Sequence, residues 1–144
     1  EMDPVYVGDE SIDTMISGLK AMAIMYSGDA AAVMAENENM EFYMPDQGTN
    51  IWFDGFVISK ECKQVELANQ FINFMISDEI SYRNTVEVGY LTANVNAANQ
   101  ASKEDFNGIS AYGIRTEDND EIFAYQTDEV KEMYNSRWTK VKAK

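Results

Sequence analysis

The sequence predicts an α/β fold, because short apolar segments bounded by turn residues alternate with amphipathic segments at helical spacing. The chain has 144 residues, of which 45% are hydrophobic and 12% aromatic, a composition typical of a globular protein with its own core. No internal repeat, linker or low-complexity stretch is present. Length favours one domain, but the pattern alone leaves open that the predicted sheet is completed by strands outside this chain.

The first part of the chain is predicted to alternate between helix and strand. Apolar residues at helical spacing predict a helix within 8–21, and the apolar run 21–27 predicts a buried strand before a Ser-Gly-Asp turn. Residues 29–39 are predicted to form a short helix. Residues 40–46 and 48–59, separated by a turn, are predicted to be two further strands.

The second part is predicted to be mainly helical. Residues 63–77 carry an amphipathic pattern, and 78–89 predict a further helix that ends at a glycine. A capping asparagine is expected near the start of the next segment, 90–102. Residues 103–120 are polar and rich in turn residues, whereas 127–143 predict a closing helix.

Two local features of these helices lead to sharper predictions. Phe71, Ile72 and Met75 lie on one helical stripe, so they are predicted to belong to the core. Asn94 and Asn96 are the two candidates for the N-cap, since asparagine side chains accept hydrogen bonds from free helix N–H groups.

Composition excludes several classes of function. The formal net charge is −14, from 25 acidic and 11 basic side chains, which disfavours nucleic acid and anionic membrane surfaces as partners. This negative charge favours a cationic ligand. Taken by itself, however, the charge is first explained by the solubility that an acidic surface maintains. Because the sequence has no histidine, a catalytic triad and His-ligated metal sites are excluded. Because Cys62 is the single cysteine, an internal disulfide is excluded as well. No cofactor, metal site or catalytic residue is predicted.

No motif for nucleotides, calcium or redox chemistry occurs in the sequence. Residues 26–31 have the strand, glycine turn and helix start of a phosphate loop, but Asp29 would repel an anion there and is predicted to cap its own helix. The acidic segment 116–121 lacks the spacing of a calcium loop and is predicted to be solvated. Pairing Asp54 with other carboxylates for glycoside hydrolysis is not supported by their spacing.

Trp52 and Asp54 form the most informative pair of residues. They stand at positions i and i+2 of the predicted strand 48–59, so their side chains are expected on the same side. An indole face and a carboxylate are what an organic ammonium group requires. The pair alone still favours a half-buried tryptophan beside an exposed aspartate.

Four blocks of the sequence resemble, in order, the C-terminal part of the bacterial spermidine/putrescine-binding proteins. These are substrate-binding components of polyamine ABC transporters, within the type II periplasmic binding proteins. The resemblance extends over nearly the whole chain from about Gly18. The blocks are MYSGDAA, PDQGTNIWFDGFVI, ANQFINFMISDEISYRNTVEVGYLTAN and YNSRWTKVKA.

The resemblance implies an incomplete α/β fold, the C-terminal part of a protein with two lobes and a ligand cleft between them. Residues 1–50 would then end the second lobe, 51–96 would cross and return to the first lobe, and 97–144 would form C-terminal helices. The start at Glu1, without an initiator methionine, agrees with a piece of a longer protein. The other half of the cleft would lie outside this chain.

The resemblance also implies a role in binding rather than catalysis. Polyamine would be the ligand, and ABC permease subunits would be the partners. The protein would be extracytoplasmic, attached to the membrane through a lipid anchor or a fusion to the permease. A chain lacking half of its cleft is expected to self-associate. Another cationic or small organic solute, or a non-catalytic interaction domain with this fold, stays an alternative. The implied ligand-binding residues are Tyr26, Trp52, Asp54, Tyr90 and Gln126.

Overall fold

The computed structural model describes residues 4–8, 10–113 and 119–143. Within these ranges the chain forms six helices and one pair of very short strands. No helix in these ranges has the length and apolarity needed to cross a bilayer. In chain order the elements are α1 (Glu10–Ile16), α2 (Ser27–Glu36), β1 (Asn50–Ile51), α3 (Val65–Met75), α4 (Asp78–Val88), α5 (Val95–Glu104), β2 (Glu121–Ile122) and α6 (Asp128–Lys142).

All six predicted helices are present, the first of them shorter than predicted. α1 ends at Ile16, and Gly18 then turns the chain with a left-handed backbone, φ 69°. Leu19, expected on the same helical stripe, therefore lies beyond the helix and is exposed. α4 has the predicted bounds, because Gly89 ends it in the left-handed conformation at φ 72°.

The strand predictions were largely wrong. The described residues form only a parallel two-stranded ladder, with Asn50 opposite Glu121 and Ile51 opposite Ile122. The runs 21–27 and 40–46 form no strand, and Ile24 is fully exposed rather than buried. A strand is stable only when neighbouring strands bind its backbone N–H and C=O groups, and the described segments supply no such neighbour to these two runs.

The predicted core stripe on α3 was also wrong. α3 has no buried residue, and the Phe71 side chain is 55% exposed. The Phe71 ring packs edge to face with the Phe56 ring, at a centroid distance of 6.5 Å. The amphipathic pattern of the helix is present, but too little of the described chain packs against its apolar side to bury it.

The core that does form consists mainly of small side chains, on α5 and in a cluster that joins α2 to residues near 110. Ala30, Ala31 and Ala111 are buried together, and larger side chains pack around them. Close alanine packing lets two segments approach each other with little side-chain volume between them. The surrounding, partly buried side chains are Met25, Met34, Phe42 and Ile109.

Asn94 joins α4 to α5. Its side-chain oxygen accepts from the Ala97 N–H at 3.1 Å, which makes it the N-cap of α5, as one of the two predicted candidates. Its amide nitrogen donates to the Ile76 carbonyl at 3.0 Å and to the Asp78 carboxylate at 2.8 Å. Asn96 also donates to Asp78, and the bonds from Asn94 and Asn96 hold the pKa of the Asp78 carboxyl below its usual value.

We expect Asn94→Ala to destabilise the chain by about 1 kcal/mol, the typical cost of losing an N-cap. Asn99→Ala, at an exposed position of the same helix, is the matched control and should be neutral or slightly stabilising. Urea unfolding followed by circular dichroism measures both. Equal unfolding midpoints for the two variants would contradict this role of Asn94.

Candidate ligand-binding site

Two aromatic rings meet where the chain enters α2 and leaves β1. Tyr26 occupies the N-cap position of α2, and Trp52 follows β1 directly. Their ring centroids are 4.9 Å apart at an interplanar angle of 84°, an edge-to-face pair. Tyr26 is 53% exposed and Trp52 is 42% exposed, so both rings keep surface free for a ligand.

Tyr90 lies against the start of α2, because two glycines allow the backbone to come close. A Cβ on Gly28 would lie 2.6 Å from Cζ of the Tyr90 ring, so any side chain at this position would overlap the ring. A Cβ on Gly89 would lie 3.1 Å from the Gly28 carbonyl oxygen. The first turn of α2 and the end of α4 are therefore in direct contact, with the Tyr90 ring packed over Gly28.

The backbone of Tyr90 is held by a hydrogen bond from α4. The Thr85 hydroxyl donates to the Tyr90 carbonyl, and the Tyr112 hydroxyl lies 3.0 Å from the same Thr85 oxygen. Thr85 and Tyr112 are both buried, and Tyr112 stacks on Phe106 at a centroid distance of 4.1 Å. A buried network of this kind restricts the position of the residue that it holds.

The Tyr90 hydroxyl has a carboxylate as its hydrogen-bond partner. This hydroxyl donates to Oδ1 of Asp29 at 3.4 Å. Burial of the phenol, the charge and hydrogen bond of Asp29, and smaller effects of Tyr26 and Asp54 raise the pKa of Tyr90 to about 12.

Asp54 follows Trp52 by two residues and is exposed, and three of the five residues that the resemblance implied are brought together: Tyr26, Trp52 and Tyr90. Gln126 is not. Its side chain is exposed between β2 and α6, and its amide nitrogen donates to the Ala124 carbonyl at 3.3 Å. Within the described part of the chain this hydrogen bond is local and does not link Gln126 to the other implied residues.

Asp29 is the residue that sequence reasoning assigned wrongly. The N-cap position of α2 is Tyr26, without a side-chain cap bond, and the Asp29 carboxylate accepts from Tyr90 instead. Its contact partner lies 61 residues away, so no local pattern could reveal it.

A groove beside α3 and the acidic side chains are separate features of the described chain. A groove of about 510 Å³ lies between 56–62 and α3, but its lining is mostly apolar and contains none of the five residues. Among the described residues, no group of three or more acidic or cysteine side chains could hold a metal ion. Residues 116–118 of the acidic segment lie outside the described part of the chain.

We expect Gly28→Ala to displace the Tyr90 ring, because the added Cβ would occupy ring space. The hydroxyl should then lose Asp29, and the pKa of Tyr90 should fall from about 12 toward the ordinary value of about 10. Alkaline titration by NMR of ¹³C-labelled tyrosine measures this, with Tyr90→Phe assigning the signal. Gly55→Ala is the control, because a Cβ at Gly55 meets nothing within 4 Å. An unchanged Tyr90 titration in Gly28→Ala would contradict the packing described above.

Comparison with known proteins relates this geometry to a family. Residues 5–111 match the family model of the bacterial extracellular solute-binding proteins. A spermidine/putrescine-binding periplasmic protein 1 of Haemophilus influenzae is 26% identical over 96 residues, which are 67% of this chain and 27% of the relative. The Salmonella typhimurium spermidine/putrescine-binding periplasmic protein is 25% identical over 104 residues, 72% of this chain and 30% of the relative.

The chain thus spans less than a third of the length of these relatives. No solved structure matches it significantly. The family match covers α1 to α5 and the residues around Tyr90, and the helices with little sheet are those of an incomplete α/β type II fold, as predicted. With more than half of its residues matched by the family model, the chain belongs to the bacterial extracellular solute-binding proteins.

Proposed function

We propose that this chain is part of the solute-binding component of an ABC importer and binds polyamines such as spermidine and putrescine. The observation that carries the proposal is the ring pair of Tyr26 and Trp52 beside Tyr90, whose hydroxyl donates to the Asp29 carboxylate. The Asp54 carboxylate follows Trp52 by two residues. Two relatives named for spermidine and putrescine binding support the choice of ligand.

The chemistry of a polyamine suits these side chains. Its methylene groups would pack on the faces of Tyr26 and Trp52, and an ammonium group over an aromatic face gains about 0.5–1 kcal/mol when exposed and about 2 kcal/mol when desolvated. Asp54 would pair with an ammonium group, and the Tyr90 oxygen would accept from a second N–H. Gln126 would join this set only if the segment between β2 and α6 moves toward the ligand.

The exposure of the two rings supports a site with a second wall. Tyr26 and Trp52 are each about half exposed, so a ligand on them alone would stay in contact with water. In the proposed arrangement, 1–50 end one lobe, 51–96 cross to the other, and 97–144 return as C-terminal helices. Closing of the lobes would exclude water and present the closed form to the permease subunits.

An extracytoplasmic location follows from this role, in the periplasm or at the cell surface, with a lipid anchor or permease fusion as the attachment. The relatives are named periplasmic, which supports it. The second candidate is binding of another cationic or small organic solute by the same residues. A thermal-shift panel of amines and neutral solutes would separate it from polyamine binding. The sequence has no histidine, and we propose no catalytic activity.

We expect Asp54→Asn to weaken polyamine binding by about tenfold or more, since it removes the charge that pairs with an ammonium group. NMR titration of the chain with spermidine and putrescine measures this even at low affinity. Butane-1,4-diol, the neutral counterpart of putrescine, should not bind.

Asp13→Asn is the control because it makes the same charge change at an exposed carboxylate of α1. Polyamine affinity that is equal in the wild type, Asp13→Asn and Asp54→Asn would refute the role of Asp54. No polyamine binding by the wild type would refute the proposed ligand class.

We also propose that the chain associates with itself through apolar surface near α3. Phe56, Phe71 and Phe74 are each more than half exposed there, and an exposed apolar patch favours contact with another protein surface. Sedimentation velocity should show a mass that rises with concentration, and Phe71→Ser should reduce the rise. Tyr134→Ser, on exposed α6, is the control. A constant monomer mass at every concentration would contradict this.

A further inference from the structure

Asp29 stands in the first turn of α2 with its Oδ1 3.4 Å from the Tyr90 hydroxyl oxygen. An ionised carboxylate can only accept hydrogen bonds, whereas a phenol has one proton to donate and lone pairs to accept with. The shared hydrogen bond must therefore use the Tyr90 proton. The lone pairs of the Tyr90 oxygen are then left to accept from another group.

The surroundings of Tyr90 keep this arrangement in place. Its ring packs over Gly28, one residue before Asp29, and its carbonyl accepts from the buried Thr85. Both ends of the tyrosine are thus fixed relative to the first turn of α2. A carboxylate in that first turn is also favoured by the partial positive charge of the helix N-terminus.

We propose that Asp29 is a positioning residue that holds the Tyr90 oxygen as a hydrogen-bond acceptor, so that the site selects solutes with N–H donors over solutes that offer only acceptors. This inference rests on the proposed function and adds two things to it, a role for Asp29 and a preference for ligands that donate hydrogen bonds. The Tyr90 oxygen and the Asp54 carboxylate would then both act as hydrogen-bond acceptors for an amine that lies on Tyr26 and Trp52. An amine supplies the donors that this arrangement lacks.

The ionisation of Tyr90 reports the same contact without any ligand. The titratable groups that act on it are Asp29, Tyr26 and Asp54, and together with burial they raise its pKa to about 12. Since the folded-state pKa is above the unfolded value of about 10, the stabilisation is complete below pH 10 and is lost as pH rises through about 12. Asp29→Asn should lower this pKa toward 10.

The decisive experiment is a double-mutant cycle of Asp29→Asn and Tyr90→Phe, read by NMR titration of the full chain with putrescine. Asp29→Asn should weaken binding by about tenfold in the wild-type background, because an asparagine amide can donate to the Tyr90 oxygen and occupy its lone pair. The same substitution should have little effect when Tyr90 is phenylalanine.

Glu36→Gln, in the last turn of the same helix, makes the same charge change at an exposed position and should leave affinity unchanged. Equal weakening by Asp29→Asn in both backgrounds would overturn the proposal, because Asp29 would then act by charge and not through Tyr90. Unchanged affinity in Asp29→Asn would overturn it as well.

The ¹³C tyrosine titration keeps the proposal testable if Asp29→Asn fails to fold. Tyr90 in the wild-type chain should remain mostly neutral at about pH 11, where exposed tyrosines are ionised. Ionisation of wild-type Tyr90 together with the exposed tyrosines would overturn the proposal. If the wild type binds no amine while Tyr90 titrates late and Asp29→Asn lowers its pKa, the proposed polyamine function fails and the contact between Asp29 and Tyr90 stands.

Discussion

The contact between Gly28 and the ring of Tyr90 is the constraint on which the candidate site depends. It joins the first turn of α2 to the residue that follows the end of α4, two segments far apart in the chain. A side chain at position 28 would fill the space of the ring, and the left-handed turn at Gly89 aims the chain back toward α2. Tyr26 and Asp29 are placed beside Tyr90 because they flank this glycine.

What the sequence could predict divides between local and distant interactions. The bounds of α4 followed from Asp78 and Gly89 alone, because a helix binds its own backbone groups and needs only a start and a stop signal. The run around Ile24 has the composition of a buried strand, yet its stability requires neighbouring strands that the described chain does not supply. Helices were therefore predicted well and strands poorly. The same distinction explains the α3 stripe, which has the right pattern and too little to pack against.

The candidate site shows the same limit at the level of single residues. The resemblance to a known family implied Tyr26, Trp52, Asp54, Tyr90 and Gln126, and the structure brings Tyr26, Trp52 and Tyr90 together. Asp29 was missed because a carboxylate in the first turn of a helix already has a local explanation, and its contact with Tyr90 is visible only in three dimensions. Gln126 depends on the segment between β2 and α6, where the order of residues does not fix the distance to the site.

Charge and geometry have separate consequences for a cationic solute. A net charge of −14 attracts any cation to the chain and speeds its arrival, but the charge is spread over 25 carboxylates and cannot distinguish one amine from another. Discrimination requires fixed acceptors at a fixed distance from an apolar surface. The edge-to-face pair of Tyr26 and Trp52 is such a surface, and the Tyr90 oxygen is an acceptor whose direction depends on Asp29. Because both rings are half exposed, water reaches them, and the proposed binding would be stronger with a second wall that excludes this water.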